Sequence, residues 1–234
     1  MKKVFLVMAV LVSAVFTVSA QSADDIIAKY ITAIGGAEKW SKVQSIKIEG
    51  QIEMQGIAIP FVMQGLQMKG ARVDAEFQGN KIIDITTPSK GWSQNPFGGK
   101  ATLSPITDDE LKQKLDDLDI QDAFIDYKSK GSVVEFLGKD EEDGNEYHKI
   151  KMTTKNGNDK TYFFDIQTNL IYKIESVVKQ QGQEVKSAVK YLDYQTLDFG
   201  IKMAFKQDQG QMMMVNKKII VNPTIDAAIF NGGN

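Results

Sequence analysis

From position 45 onward the chain alternates apolar and polar residues with a period of two, and hairpin-turn dipeptides cut that alternation at short intervals. Ile46, Ile48, Ile52 and Met54 interleave with Lys47, Glu49, Gln51 and Glu53, as in a strand with one buried and one wet face. Gly56 turns the chain, and Ile57, Ile59, Phe61 and Met63 alternate in the same way, which predicts an antiparallel hairpin. Val73, Ala75 and Phe77 mark a third strand, Gly79-Asn80 a turn, and residues 81–87 a fourth strand. A short strand around Trp92 leads into the loop Asn95-Pro96-Phe97-Gly98-Gly99. After position 132 the chain again reads as strands, divided by Asp143-Gly144-Asn145, Asn156-Gly157, Thr168-Asn169, Gln181-Gly182 and Asp208-Gln209-Gly210. Strands joined by such short turns are antiparallel neighbours. About eleven of them in one chain exceed what a flat open sheet holds without curling.

Two stretches change period. Ser22 and Asp25 form a capping box ahead of Ile26, Ile27, Tyr30, Ile31 and Ile34 at helical spacing, and Gly35-Gly36 ends that helix. Thr107 and Glu110 form a second box ahead of Leu111, Leu115 and Leu118, and Ile120, Phe124, Ile125 and Tyr127 predict a further helical piece ending near Gly131. The expected fold is mainly β with helices (α+β): a strongly bent antiparallel sheet, or incomplete β-barrel, whose apolar face the helices cover. No linker or repeat divides residues 21–234, so one domain is expected there.

The first 20 residues read as a signal peptide. Lys2 and Lys3 precede the apolar run Val4 to Val15, and Val18-Ser19-Ala20 supplies the small residues of a cleavage site after Ala20. That run is short of the about 20 apolar residues of a membrane helix. The expectation is an exported, periplasmic chain that does not span the membrane. Loss of the two lysines would move the formal charge from −2 to −4, a mild acidity that argues against nucleic acid as a partner. With no cysteine, thiol catalysis and thiolate metal sites are excluded.

The residue types that carry catalysis do not converge. His148 is the only histidine and lies in a strand pattern, Glu146-Tyr147-His148-Lys149-Ile150, so it reads as an ordinary strand residue. Asp140-Glu141-Glu142-Asp143-Gly144-Asn145 resembles a calcium loop in composition, but Lys139 and Glu141 break the alternating frame of ligands, and a charged hairpin tip is expected. Asp108, Asp109 and Glu110 suit the first turn of a helix, and Asp116-Asp117 a solvated face. No catalytic residue, metal or cofactor is expected. The methionines offer more. Met54, Met63, Met68, Met152, Met203 and the run Met212-Met213-Met214 suit a surface that accepts apolar ligands of variable shape, although Met also fills cores.

Several stretches occur together in order: Ile34-Gly35-Gly36-Ala37-Glu38-Lys39-Trp40, Asp143-Gly144-Asn145-Glu146-Tyr147, and Tyr162-Phe163-Phe164-Asp165 with Thr168-Asn169-Leu170. Gly200-Ile201-Lys202-Met203-Ala204-Phe205, Val221-Asn222-Pro223-Thr224-Ile225-Asp226 and Ile229-Phe230 complete the set. Across the whole mature chain this resembles the outer-membrane lipoprotein-sorting proteins related to the LolA/LolB carriers, in the form common in Bacteroidetes-type bacteria. The resemblance implies an incomplete barrel with lid helices, from Thr107 to Leu118 and beyond, over a hollow that takes acyl chains. It implies as partners an acylated lipoprotein or other lipid-like ligand, and an envelope protein, for a chain expected to be monomeric. Ligand-lining residues would then be Met54, Phe61, Met63, Phe77, Trp92, Leu111, Leu115, Met203 and Met213. In the carriers an arginine on an early strand helps hold the lid closed. Arg72, the single arginine, lies in a similar place without the flanking proline-rich signature. Its phase, opposite to Val73, Ala75 and Phe77, points to the outer face, whereas a latch would turn it towards Asp116 or Asp117. The expected function is a periplasmic carrier for lipid-like ligands, with outer-membrane lipoprotein sorting as its setting; the alternative is a non-catalytic envelope scaffold or interaction module on the same fold.

Overall fold

The computed structural model describes residues 22–180 and 183–232. The expected signal peptide and the Gln181-Gly182 turn lie outside the described residues. Thirteen strands form one antiparallel sheet. They are β1 (Ser45–Met54), β2 (Ile57–Leu66), β3 (Gly70–Phe77), β4 (Asn80–Thr86), β5 (Gly91–Asn95), β6 (Lys100–Pro105), β7 (Val133–Glu142), β8 (Asn145–Thr153), β9 (Asp159–Asp165), β10 (Ile171–Gln180), β11 (Gln183–Thr196), β12 (Lys202–Asp208) and β13 (Met213–Val221). Their order across the sheet is β6-β5-β4-β3-β2-β1-β13-β12-β11-β10-β9-β8-β7. Two hairpin meanders are thus joined along the single seam between β1 and β13, and the sheet curls without closing. The expectation of about eleven strands missed β6, which follows the Pro- and Gly-rich loop and is set by the left-handed Gly99 at φ 84°.

The outer edges, β6 and β7, are consecutive in the chain, so residues 106–132 have to cross the open side of the curl. That crossing begins with a helix, Asp108–Lys114, capped by Thr107 and Glu110 as the sequence predicts, and tightens into a 3-10 turn at Leu115–Leu118. The helix predicted after it is absent: Ile120 to Tyr127 runs through successive turns. Asp122 and Asp126 hold left-handed conformations at φ 71° and 50°, and the Asp122 carboxylate accepts the Phe124 N–H instead of leaving that donor to a helix. The apolar spacing is therefore helical, but the residues between bond their own backbone.

The first helix (Ala23–Ala33) carries the predicted Ser22/Asp25 box and buries Ile26, Ile27 and Tyr30. A Cβ on Gly35 (φ 108°) would stand 2.4 Å from the Gly200 carbonyl oxygen, so only glycine lets this helix end press against the β11–β12 connection. Tyr30, Phe124, Tyr162 and Phe164 pack edge to face, with ring centroids of 4.7 Å for Phe124–Tyr162 and 5.3 Å for Tyr30–Phe164. Ile46, Ile48 and Phe61 continue the same core across the seam.

Candidate functional site

The helix Ala23–Ala33 and the crossing do not fill the concave side completely. Between them and strands β9 to β13 lies a hollow of about 230 Å³, lined by Tyr30, Trp40, Ile48, Ala123, Phe124, Tyr162, Ile171, Ile174, Tyr191, Tyr194, Lys202, Met203, Ala204, Gln207, Asn216 and Asp122. Two backbone irregularities give it this lining. A bulge between Ile171 and Lys173 brings Ile171 and Ile174 onto one face of β10. In β11, Asp193 has φ 54° and falls out of the pairing with β12, so Tyr191 and Tyr194 both line the hollow despite their opposite phase. These shifts explain why a strict two-residue count does not find the tyrosines.

Asp122 is the acid among the residues that line it. Its Oδ2 accepts the Tyr30 hydroxyl at 2.5 Å and its Oδ1 accepts the Phe124 N–H at 3.0 Å. Burial pushes its pKa up to about 6, against the lowering effect of those two hydrogen bonds. Burial also raises the hydroxyl pKa values of Tyr30, Tyr162, Tyr191 and Tyr194, with Asp122 adding to the effect, so they stay protonated. The Tyr194 hydroxyl donates to the Ile171 carbonyl at 2.8 Å.

The crossing is tied down on both sides. Lys114 meets Asp84 on β4 at 3.2 Å, the Met68 N–H donates to the Leu118 carbonyl at 2.8 Å, and Gln67 bonds both Asp119 and the Ile120 N–H. Across the curl, Asp116 accepts from Thr154, Asn156 and Asn158 in the β8–β9 connection at 3.0, 2.6 and 2.7 Å.

Of the residues singled out from sequence, Met203 lies on the hollow. Leu115 lines a second cleft of about 200 Å³, where the crossing meets Met152 and Thr154. Met54 and Met213 flank a notch between the β1–β2 and β12–β13 hairpin tips. Phe61 is buried under Gly50, Met63 packs on the same core, Phe77 meets Phe97 at 5.6 Å, and Leu111 is half-buried on the crossing helix. Trp92 is on the other side of the sheet. It pairs with Ile85, which pairs with Arg72, and Gly232 packs directly on its ring.

Arg72 does not latch the lid. Its guanidinium grips Asp74 through two hydrogen bonds of 2.7 Å and donates to the Ile229 carbonyl at 2.9 Å. Phe230 covers Gly70 beside it, so the arginine holds the C-terminal stretch against the convex face, the side its phase predicts. His148 is a buried core residue beside Phe136, and burial lowers its pKa. The acids expected at a charged hairpin tip bind lysines: Asp140 meets Lys149, and Glu142 meets Lys173 and Lys190, which bring its pKa down to about 2.

In sequence comparison no family model and no curated protein matches the chain. Solved structures do match in fold. A DUF1329 family protein from Desulfovibrio piger superposes with a TM-score of 0.55 at 12% identity, over 88% of this chain and 97% of the other. An outer membrane lipoprotein-sorting protein domain from Vibrio parahaemolyticus gives 0.53 at 11%, over 88% and 95%. A LolA superfamily protein from Nitrosomonas europaea gives 0.53 at 9%, over 86% and 97%. With thirteen antiparallel strands in an unclosed curl and a crossing over its open side, this chain has the LolA-like fold.

Proposed function

We propose that the protein is an exported, non-catalytic binding protein that carries a lipid-like ligand in the hollow between the curled sheet and the crossing segment. The observation that carries this is the hollow itself: a concave, largely apolar and aromatic space in a fold that has every means of packing its interior shut. The likeness to an outer membrane lipoprotein-sorting domain supports an acylated lipoprotein as one form of cargo. The narrower resemblance to Bacteroidetes-type members rests on the sequence motifs alone. Periplasmic location, cleavage after Ala20 and a monomeric state belong to the same reading; among the described residues no helix is long and apolar enough to cross a membrane.

Size limits the cargo. An apolar cavity of about 150 Å³ takes one benzene, so about 230 Å³ holds one small group or the end of one chain. A larger acyl load requires the crossing to lift. Native mass spectrometry of protein recovered from the cell envelope without detergent, followed by lipid extraction, tests the reading. Bound lipid, and displacement of an apolar fluorescent probe by it, are expected. Protein that neither retains lipid nor takes up the probe overturns it.

One observation favours the alternative, an interaction module. Met54, Ile57, Phe97, Val177 and Val185 are exposed near the hairpin tips at one end of the sheet. In that case the envelope partner, not a lipid, would be recovered with the protein.

A further inference from the structure

We propose that the hollow is a site for an organic cation, most simply the ammonium head of an amphiphile, seated on the Asp122 carboxylate among aromatic rings. This deepens the carrier reading and rests on it.

The carboxylate is held but not neutralised. Tyr30 and the Phe124 N–H each occupy one oxygen, which leaves lone pairs on both for a further donor. Lys130 gives its ammonium to Asp119 at 2.5 Å and to the Asp122 backbone carbonyl at 3.3 Å, and not to the Asp122 carboxylate, while Lys128 pairs with Asp24. Asp116, on the same crossing, is satisfied by three neutral donors. Among the described residues no lysine forms an ion pair with the Asp122 carboxylate. Lys202, on β12, also lines the hollow and makes no ion pair with Asp122.

The walls suit the same ligand. Phe124, Tyr162, Trp40, Tyr191 and Tyr194 line the same hollow as the acid. A cation enclosed by such rings is attracted by their quadrupoles, most strongly where water is excluded. At neutral pH Asp122 keeps its charge although burial raises its pKa, so a half-buried anion with no direct ion pair faces the hollow. Tyr162 provides a second open valence. It is 4% exposed, it lines the hollow, and its hydroxyl has no hydrogen-bond partner among the described residues. A free fatty acid would set a second carboxylate against Asp122, which like-charge repulsion disfavours.

Isothermal titration of the purified protein at pH 7.5 with decylammonium, decanoate and decanol, below micelle formation, separates the cases. Wild type is expected to bind the cation about tenfold or more tighter than decanol, and decanoate most weakly. In Asp122→Asn that preference collapses while decanol is unchanged. His148→Gln, a change outside the lining of the hollow, keeps the cation preference and the decanol affinity. If decanol or decanoate binds as tightly as the cation, or the preference survives Asp122→Asn, this proposal falls and the carrier reading stands. If none of the three binds, both fall.

Discussion

Asp122 makes folding depend on pH in a direction opposite to that of most carboxylates. Its pKa in the fold is about 6, above the ordinary 3.8, so the folded state holds a proton that the unfolded chain releases between those values. Its contribution to stability is therefore fully present below pH 3.8 and is lost as pH rises towards 6. The gap between about 6 and 3.8 is worth about 3 kcal/mol. Asparagine keeps the local structure: its oxygen can accept the Phe124 N–H, its amide can donate to the Tyr30 oxygen, and it tolerates the left-handed φ of 71°. Asp122→Asn is thus expected to be more stable than wild type by up to about 3 kcal/mol at pH 7.5 and equal to it below pH 4, as read by urea unfolding at both values. A constant difference across that range would show that Asp122 is not the buried ionising group. His148 has the opposite sign. Its lowered pKa means that stability is lost as pH falls below 6.5. Its ring is outside the lining of the hollow, so His148→Gln should leave ligand affinity within experimental error near neutral pH. The sequence foretold His148 as a strand residue. It did not single out Asp122, because what makes that acid unusual is the set of rings from distant segments that close around it.

At the scale of elements, the two capping boxes were legible because each is complete within four residues, whereas the turns after Leu118 were not. Apolar residues at helical spacing fit a packed turn chain equally well when aspartates between them bond their own backbone. The crossing and the C-terminal stretch are two straps on opposite faces, and they should come loose separately. Asp116→Ala removes three hydrogen bonds to the β8–β9 connection, a loss of about 1–3 kcal/mol to local closure. Faster amide exchange across residues 107–131 and faster ligand release are expected, with the C-terminal stretch unchanged. Arg72→Leu cuts the link to Ile229 and should raise exchange only near residues 223–232. Protection lost in the crossing of the Arg72 variant would restore the latch that its hydrogen bonds do not show.

For the whole molecule, the meander was readable because every hairpin is local, and the two-residue alternation fixed which face is inward wherever no bulge intervenes. The joining of the two halves was not readable, since β1 and β13 lie at opposite ends of the described chain and nothing in either names the other as partner. The edges are blunted in the usual way: β6 ends in Pro105, and β7 is bulged at Gly138 and carries Lys139 and Asp140. Stability then hinges on the seam. At its centre β1 skips a residue of β13, Gly50 pairing with Asn216 while Glu49 pairs with Lys218. A Cβ on Gly50 would stand 2.4 Å from the Val215 carbonyl oxygen and 2.8 Å from the Phe61 ring. Backbone on one side and a buried ring on the other leave it no room. Gly50→Ala should therefore cost about 1–3 kcal/mol as an overpacked core position. Because among the described residues no other ladder joins the two meanders, the loss should lower the midpoint of one cooperative urea transition followed by both Trp40, in the hollow, and Trp92, on the convex face. If the two tryptophans report separate transitions, with only one of them shifted, the meanders fold independently and the seam is not what holds the curl together.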